Sequence, residues 1–191
     1  MAGETVCIDN EIPFDIPESW AWARLKHIGT IIGGGTPQTG NSEYWDGDIP
    51  WITPADLSGY ESIYISNGMR HITAKGLRES SAQLLPAGTV LFSSRAPIGY
   101  VAIAANDIAT NQGFKSITPA CPEMSLFLYY SLIACTADIV QRASGTTFKE
   151  ISGSGMAETL IPIPPLYEQT RIANMISFLS SQLSTIAENL N

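Results

Sequence analysis

The sequence predicts an α+β fold: a curved, mostly antiparallel sheet carrying one packed helix, followed by a long C-terminal helix that protrudes. Three observations predict it. Half a dozen short β-rich runs, punctuated by Gly and Pro, occupy residues 20–118. Residues 123–143 then continue without Gly or Pro and are rich in Leu, Ala and Tyr. Beyond Pro165 neither breaker recurs.

Taken in order, residues 1–19 read as an acidic N-terminal extension, broken by Pro13 and Pro17 and extended over the surface. Large residues at Trp20 and Trp22 have the period of a strand with one face buried, and Ile28–Ile32 continues as a turn of helix and a second strand. Gly33-Gly34-Gly35-Thr36-Pro37 ends regular structure, and a polar loop leads to Tyr44-Trp45. Asp46-Gly47 is a turn signal before a short strand, Ile49–Ile52. A strand is expected at Ser62–Ile65, a polar loop at Asn67–His71, and a turn or two of helix at Ala74–Ser80. Thr89–Ser94 and Tyr100–Ala105 are strands separated by Arg95-Ala96-Pro97-Ile98-Gly99; Asp107–Thr110 and Gly113–Thr118 are two more. The helix over 123–143 is apolar nearly all round and therefore expected to be well buried. Ser144–Ile151 is a polar turn, and Ser152-Gly153-Ser154-Gly155 a linking stretch.

Pro162, Pro164 and Pro165 hold Leu160–Ile163 extended, and Pro165 suits the first turn of the helix that follows. In that helix Ile172, Ile176, Leu179, Leu183, Ile186 and Leu190 recur at spacings of 4, 3, 4, 3 and 4, the seam of a heptad repeat. Gln169, Ser177, Ser180, Ser181 and Gln182 fall on faces expected to meet water. At 1.5 Å per residue such a helix extends roughly 35–40 Å, more than a domain of this size buries. The seam is therefore expected to pair with a partner helix, most simply in a homodimer; the bland account is a terminal helix folded back on its own domain. The organisation expected is an extension over 1–19, a core domain over 20–162 and the helix over 163–191.

Composition narrows function. An apolar fraction of 45% against 15% charged residues suits a core-forming domain. The net charge of −8, with five acidic residues ahead of Arg24, argues against holding nucleic acid by bulk electrostatics. Cys7, Cys121 and Cys135 are scattered without metal-ligand spacing, so reduced thiols, a cytoplasmic location and no zinc are expected. No leader pattern and no apolar run of 18 residues predicts secretion or a membrane span.

Catalytic motifs are missing. Gly33-Gly34-Gly35 lacks both a following helix and a Gly-Lys-Ser/Thr, so a tight backbone turn is the better reading than a phosphate loop. Ser93-Ser94-Arg95 lacks the glycines of a nucleophile elbow. His27, in an apolar stretch, is expected to be a satisfied structural histidine; His71, beside Arg70, contacts an anion or is simply solvated. Neither an amino-methyltransferase tetrad nor its cofactor loop occurs, since Ile163-Pro164-Pro165-Leu166 is neither. The chain alone is expected to be non-catalytic, with no cofactor.

What remains is a set of polar loops, and six of the ten basic residues lie in or beside them: Arg70, Lys75, Arg95, Lys115, Arg142 and Lys149. These are either solvated loop charges or a recognition surface, with Arg and Lys to guanine edges or phosphates, Asn and Gln to adenine and Thr methyls to thymine. On the second account Arg95 and Lys115 are the leading DNA contacts, followed by Gln38, Thr39, Arg70 and His71, with Lys75, Asn111, Thr146 and Lys149 completing the set.

Several stretches together resemble one family. They are Ile16-Pro17-Glu18-Ser19-Trp20, Gly34-Gly35-Thr36-Pro37, Glu43-Tyr44-Trp45-Asp46-Gly47-Asp48-Ile49-Pro50-Trp51-Ile52 and Leu85-Pro86-Ala87-Gly88-Thr89-Val90-Leu91. Further on come Ser93–Gly99, Thr110-Asn111-Gln112-Gly113-Phe114-Lys115, Ser144–Ile151 and Ile163-Pro164-Pro165-Leu166-Tyr167-Glu168-Gln169-Thr170-Arg171-Ile172. Each is weak alone, but their order over nearly the whole chain is similar to that of DNA-specificity subunits of type I restriction–modification enzymes. The resemblance implies a target-recognition domain and a conserved helix, binding double-stranded DNA among modification (methyltransferase) and restriction subunits. Family members usually hold two such domains with antiparallel helices as a ruler, so this chain looks like half a subunit. The shared motifs are scaffold in the resemblance, which makes Trp45, Trp51, Phe114 and Phe148 core residues rather than contacts. A protein-interaction adaptor dimerising through its helix is the alternative, and a carbohydrate- or peptide-binding domain using the tryptophans is a further one.

Overall fold

The computed structural model describes Ile8, residues 10–146 and residues 149–189. Cys7, Phe148 and Leu190, all singled out from the sequence, lie outside the described residues.

Strand β1 (Ala21–Arg24) pairs antiparallel with β10 (Leu160–Ile163), joining the two ends of the domain. Pro162 sits opposite Trp22 in this two-stranded ribbon, where its missing N–H is tolerated. A single turn of helix, α1 (Leu25–Ile28), turns the chain into β2 (Gly29–Gly33), and His27 is exposed on it, contrary to the structural role expected of it. The short apolar run there buries Leu25 alone, because a four-residue turn has only one inward position.

The central sheet has the order β2-β9-β6-β7-β4. It uses β4 (Tyr64–Ile65), β6 (Val90–Ser94), β7 (Ile98–Ala104) and β9 (Lys115–Pro119). A smaller sheet, β5-β3-β8, is built from β3 (Trp45–Ile52), β5 (Arg70–Ile72) and β8 (Ala109–Thr110). The β3–β8 and β4–β7 pairs are parallel and the other described pairs antiparallel, so the sheet content is mostly antiparallel but divided among three sheets.

Two sequence expectations change here. Asp46-Gly47 is not a turn ahead of the strand but a bulge inside β3: Trp45 and Ile49 both face Ile72, and Asp46 has φ 58°. Gly47 is required there, since a Cβ would lie 2.6 Å from the Thr73 Cα. Arg70 and His71, expected in a loop, form β5; pairing with β3 overrides their polar character.

Alternation along β6 and β7 splits the core into layers. Val90, Phe92 and Ile103 face a helical layer with Leu128, Leu132, Ile139, Met156 and Ile161. Leu91, Ala102 and Ala104 face the opposite way, onto Ile52, Leu57, Leu85, Ile108 and Phe114. Trp45, Trp51, Ile72, Ala82 and Ala109 form a third cluster within the small sheet. Trp45, Trp51 and Phe114 are thus buried, as the scaffold reading required.

The helical layer consists of α3 (Ser125–Arg142) and the first half of α5 (Leu166–Asn189). With a 3₁₀ turn at Pro122–Met124, α3 is the one described helix long and apolar enough in composition to cross a membrane; here it lies on β6 and β7 beside α5. Its burial is one-sided: Phe127, Leu128, Leu132 and Ile139 are buried, whereas Ile133, Ala134 and Ala137 are exposed. A short helix unforeseen in the sequence, α4 (Gly153–Ala157), starts where the Ser152 hydroxyl accepts from the Gly155 N–H at 3.0 Å. A second short helix, α2 (Ala74–Arg78), is capped the same way by Thr73.

Helix α5 divides at its middle. Ala173 is buried, Ile172 packs on the α3 core, and Ile176 lines an apolar groove with Trp20, Trp22 and Tyr130. Gln169, expected in water, is buried, and its Nε2 donates to the Pro164 carbonyl at 2.9 Å. Ser177 is likewise held, 2.8 Å from the Tyr130 hydroxyl. From Phe178 onward the described residues are exposed, with Leu179, Leu183 and Ile186 at 52%, 67% and 55%. Folding back holds for the first half, and protrusion for the second.

Candidate nucleic-acid interface

The buried tryptophans serve as anchors for the polar loop between β2 and β3. Trp51 Nε1 donates to the Gly35 carbonyl at 2.9 Å, and Trp45 Nε1 to the Gln38 carbonyl at 3.3 Å. The two indoles meet edge to face at 5.1 Å. Gly34 and Gly35 let the loop press onto the domain: a Cβ on Gly34 would lie 1.9 Å from the Asn111 carbonyl, and one on Gly35 2.3 Å from the Ala82 nitrogen. Gln38 and Thr39 are held exposed at the tip. Over this platform Arg70 stacks its guanidinium, 3.5 Å from the centroid of Trp45 and 5.9 Å from that of Trp51.

The loop continues into a second one through Thr36, whose hydroxyl donates to Gln112 Oε1. Asn111 Oδ1 accepts from the Gly113 N–H at 2.9 Å, closing this turn and leaving the amide nitrogen for other partners. Lys115, with only 16% of its side chain exposed, reaches Glu150 Oε1 at 3.3 Å and the Gln112 carbonyl at 3.4 Å. Arg95 approaches the other Glu150 oxygen at 3.6 Å. Glu150 is itself fixed by backbone pairing with Ser144, in a turn that exposes Thr146 and Lys149.

These contacts link Arg70 through the buried Trp45 to the Gln38 loop, and Thr36 of that loop through Gln112 and Lys115 to Glu150 and Arg95. Of the ten residues expected to contact DNA, Gln38, Arg70, Arg95 and Lys115 take part in these contacts, and Thr39, Asn111, Thr146 and Lys149 lie in the loops that carry them. His71 neighbours Arg70 on β5, half-buried and pointing to the opposite face of the strand. Lys75 is set apart on α2, ion-paired with Glu43 at 2.5 Å; this hydrogen bond raises the lysine pKa and lowers that of the carboxyl.

Among the described residues, Arg70 and Lys149 are the two cations with no carboxylate partner. Arg142, grouped with the loop cations in the sequence, is structural: it binds Asp138, the Gly155 carbonyl and the Thr159 hydroxyl. Sequence reasoning missed Glu150, which lies 35 residues from Lys115, a separation that no local pattern links. Ser93, whose hydroxyl donates to the Pro97 carbonyl and accepts from the Tyr100 N–H, braces the β6–β7 turn and is fully buried. No group of three or more His, Cys, Asp or Glu side chains suited to a metal ion occurs among the described residues.

Comparison with known proteins bears on the family. The chain is 48% identical over 165 residues to the type I restriction enzyme MjaIX specificity subunit of Methanocaldococcus jannaschii, covering 85% of this chain and 38% of that one. Identity to the EcoR124I/EcoR124II specificity subunit of Escherichia coli is 27% over 179 residues, covering 88% and 43%. The chain thus spans about two fifths of the length of these relatives. In fold, it is similar to a solved chain of a type I R-M system (TM-score 0.75, 24% identity, 93% of this chain and 42% of that one). It is also similar to the HsdS subunit from Thermoanaerobacter tengcongensis (TM-score 0.71, 23% identity, 94% and 42%). None of these relatives favours the adaptor reading. The sequence pattern of the type I restriction modification DNA specificity domain matches residues 17–191, and the chain belongs to that family.

Proposed function

We propose that the chain recognises one half-site of double-stranded DNA within a type I restriction–modification complex, and that it does so without catalytic chemistry or a cofactor of its own. The observation that carries this reading is the convergence of the polar loops, linked by contacts from Arg70 to Arg95, in a chain whose family match extends over residues 17–191. The residues from β1 to β10 act as the target-recognition domain and α5 (Leu166–Asn189) as the helix that sets its distance from a second such domain. Gln38, Thr39, Arg70, Arg95, Asn111, Lys115, Thr146 and Lys149 supply base and phosphate contacts, with His71 and Lys75 at the margin. Arg70 leads this set: stacking pre-orients its guanidinium, and among the described residues no carboxylate pairs with it.

Modification subunits, which carry the methyl-transfer chemistry, and restriction subunits assemble around the chain in the cytoplasm. They supply the phosphate neutralisation that a net charge of −8 withholds. The second half-site is read by another copy, paired through Leu179, Leu183 and Ile186 of α5, with Leu190 continuing the same seam. The test is selection of bound sites from random duplex DNA by the chain reconstituted with a modification subunit. An interrupted palindrome is the expected product, and a pool without enriched sequence rejects the reading.

A further inference from the structure

The Glu150 carboxylate stands between two cations of the interface, on a backbone position that the fold fixes. Its N–H donates to the Ser144 carbonyl at 2.8 Å, its carbonyl accepts from Ser144 at 3.1 Å, and the next residue, Ile151, donates to Ser94 at 3.1 Å. One carboxylate oxygen lies 3.3 Å from Lys115 Nζ and the other 3.6 Å from Arg95 Nη1. The Arg95 contact is longer than a formed charge-assisted hydrogen bond, and among the described residues no other side-chain contact takes its donors. Glu150 is half-buried in an acidic chain already poor in cations, and it halves the charge of the pair it faces.

We propose that Glu150 is a specificity-determining residue that suppresses sequence-independent binding, by making the Arg95–Lys115 pair a poor phosphate site and leaving Arg95 able to read a base edge. The inference rests on the DNA-recognition reading above. A phosphate reaching either cation must approach Glu150, a like charge, and must replace a counter-charge already present, so less salt is released on contact. A guanine edge brings no formal charge. Its O6 and N7 acceptors can take the free donors of Arg95 while Glu150 keeps its place. The carboxylate thus penalises the contact common to all sequences more than the contact peculiar to one.

The experiment uses the chain assembled with a modification subunit and two probes, the duplex selected by the wild type and a random-sequence duplex, titrated across a salt series. Glu150→Gln, which keeps the shape and removes the charge, is expected to bind random duplex more tightly. Its salt dependence should steepen by about 0.9–1.8 in log–log slope, one or two added phosphate contacts, and its preference for the selected duplex should fall. Glu150→Ala serves as a second charge-removing variant with the same expectation, and Glu150→Asp should keep the wild-type slope. An unchanged slope and preference in both charge-removing variants overturns the proposal, as does a Glu150→Asp variant that behaves like Glu150→Gln. A wild-type complex that does not distinguish the two probes overturns the recognition reading itself, and this inference with it.

Discussion

Arg70 places its guanidinium 3.5 Å from the centroid of the Trp45 ring, and Trp45 in turn holds the Gln38 carbonyl through its indole N–H. The same ring therefore orients a planar cation and fixes the neighbouring loop. If Arg70 reads a guanine, Arg70→Ala should cost roughly 1–3 kcal/mol on the selected duplex and relax preference at one base pair. Arg70→Lys should recover little of it, because an ammonium neither stacks as a plane nor presents a fork. Binding titrations on matched and single-mismatch duplexes measure both; an equal loss on every sequence would make Arg70 a phosphate contact.

Arg95→Ala provides the contrasting case. Its cation is shared with Glu150 and its side chain is 37% exposed, so the loss on the selected duplex should again be roughly 1–3 kcal/mol. Random-duplex affinity should barely move, since that cation contributes little to phosphate binding. A large, uniform drop in the same titrations would contradict this.

How much of this was legible in the sequence depends on the range of the interactions. Local signals read well: the break after Gly33, the β6 run, both long helices and the Pro-bounded β10 appear where turn chemistry and periodicity place them, while β7 starts two residues early, at Ile98. Two of the errors share a cause, which is a pairing partner remote in sequence. Arg70 and His71 look like loop residues until β3 takes them as a strand, and Asp46-Gly47 looks like a turn until the same pairing absorbs it as a bulge. Gln169 shows no sign of burial, because its cover comes from the tertiary packing of α5. Loops were recognisable as candidate contacts, but the stacking of Arg70 and the Glu150 bridge arise only when separate loops converge.

Purified chain should neither bind S-adenosylmethionine nor transfer a methyl group. The Gly-rich stretch after β2 packs Gly34 against Asn111 and Gly35 against Ala82, and no α-helix N-terminus follows it to receive a charged ligand. Calorimetric titration of the cofactor is the check, and a saturable heat would reject the non-catalytic assignment.

Acid should loosen the junction between β1, α1 and α4. A hydrogen bond from Lys26 lowers the Glu158 carboxyl pKa in the folded chain, with the nearby Lys26, Arg24 and His27 charges adding to the effect. A carboxyl whose folded pKa lies below its unfolded value of about 4.3 stabilises the fold above that value, and the contribution is lost as pH falls through the folded pKa. Glu158→Gln should therefore melt slightly lower than wild type at pH 7. The difference should close as the pH is taken below about 4, and thermal melts across that range would show it.

The protruding half of α5 should hold two chains together. Leu179, Leu183 and Ile186 are each more than half exposed, with Met175 and Phe178 exposed beside them. Full burial of one such side chain is worth roughly 1.5–3 kcal/mol, so a two-fold pairing that covers the stripe on both chains gains several times that before the costs of association. Antiparallel pairing suits a bipartite target, because it sets the two recognition domains at opposite ends. The seam is short and has no buried polar residue to fix its register, so the dimer should be weak and should dissociate on dilution. Light scattering over a dilution series tests this, with Leu179→Asp and Leu183→Asp expected to give monomers that melt close to wild type. Ile172→Asp should do the reverse and lower stability, since Ile172 packs against the domain's own core. A wild type that is monomeric throughout, or a dimer indifferent to both aspartates, would show that the exposed stripe meets some other partner.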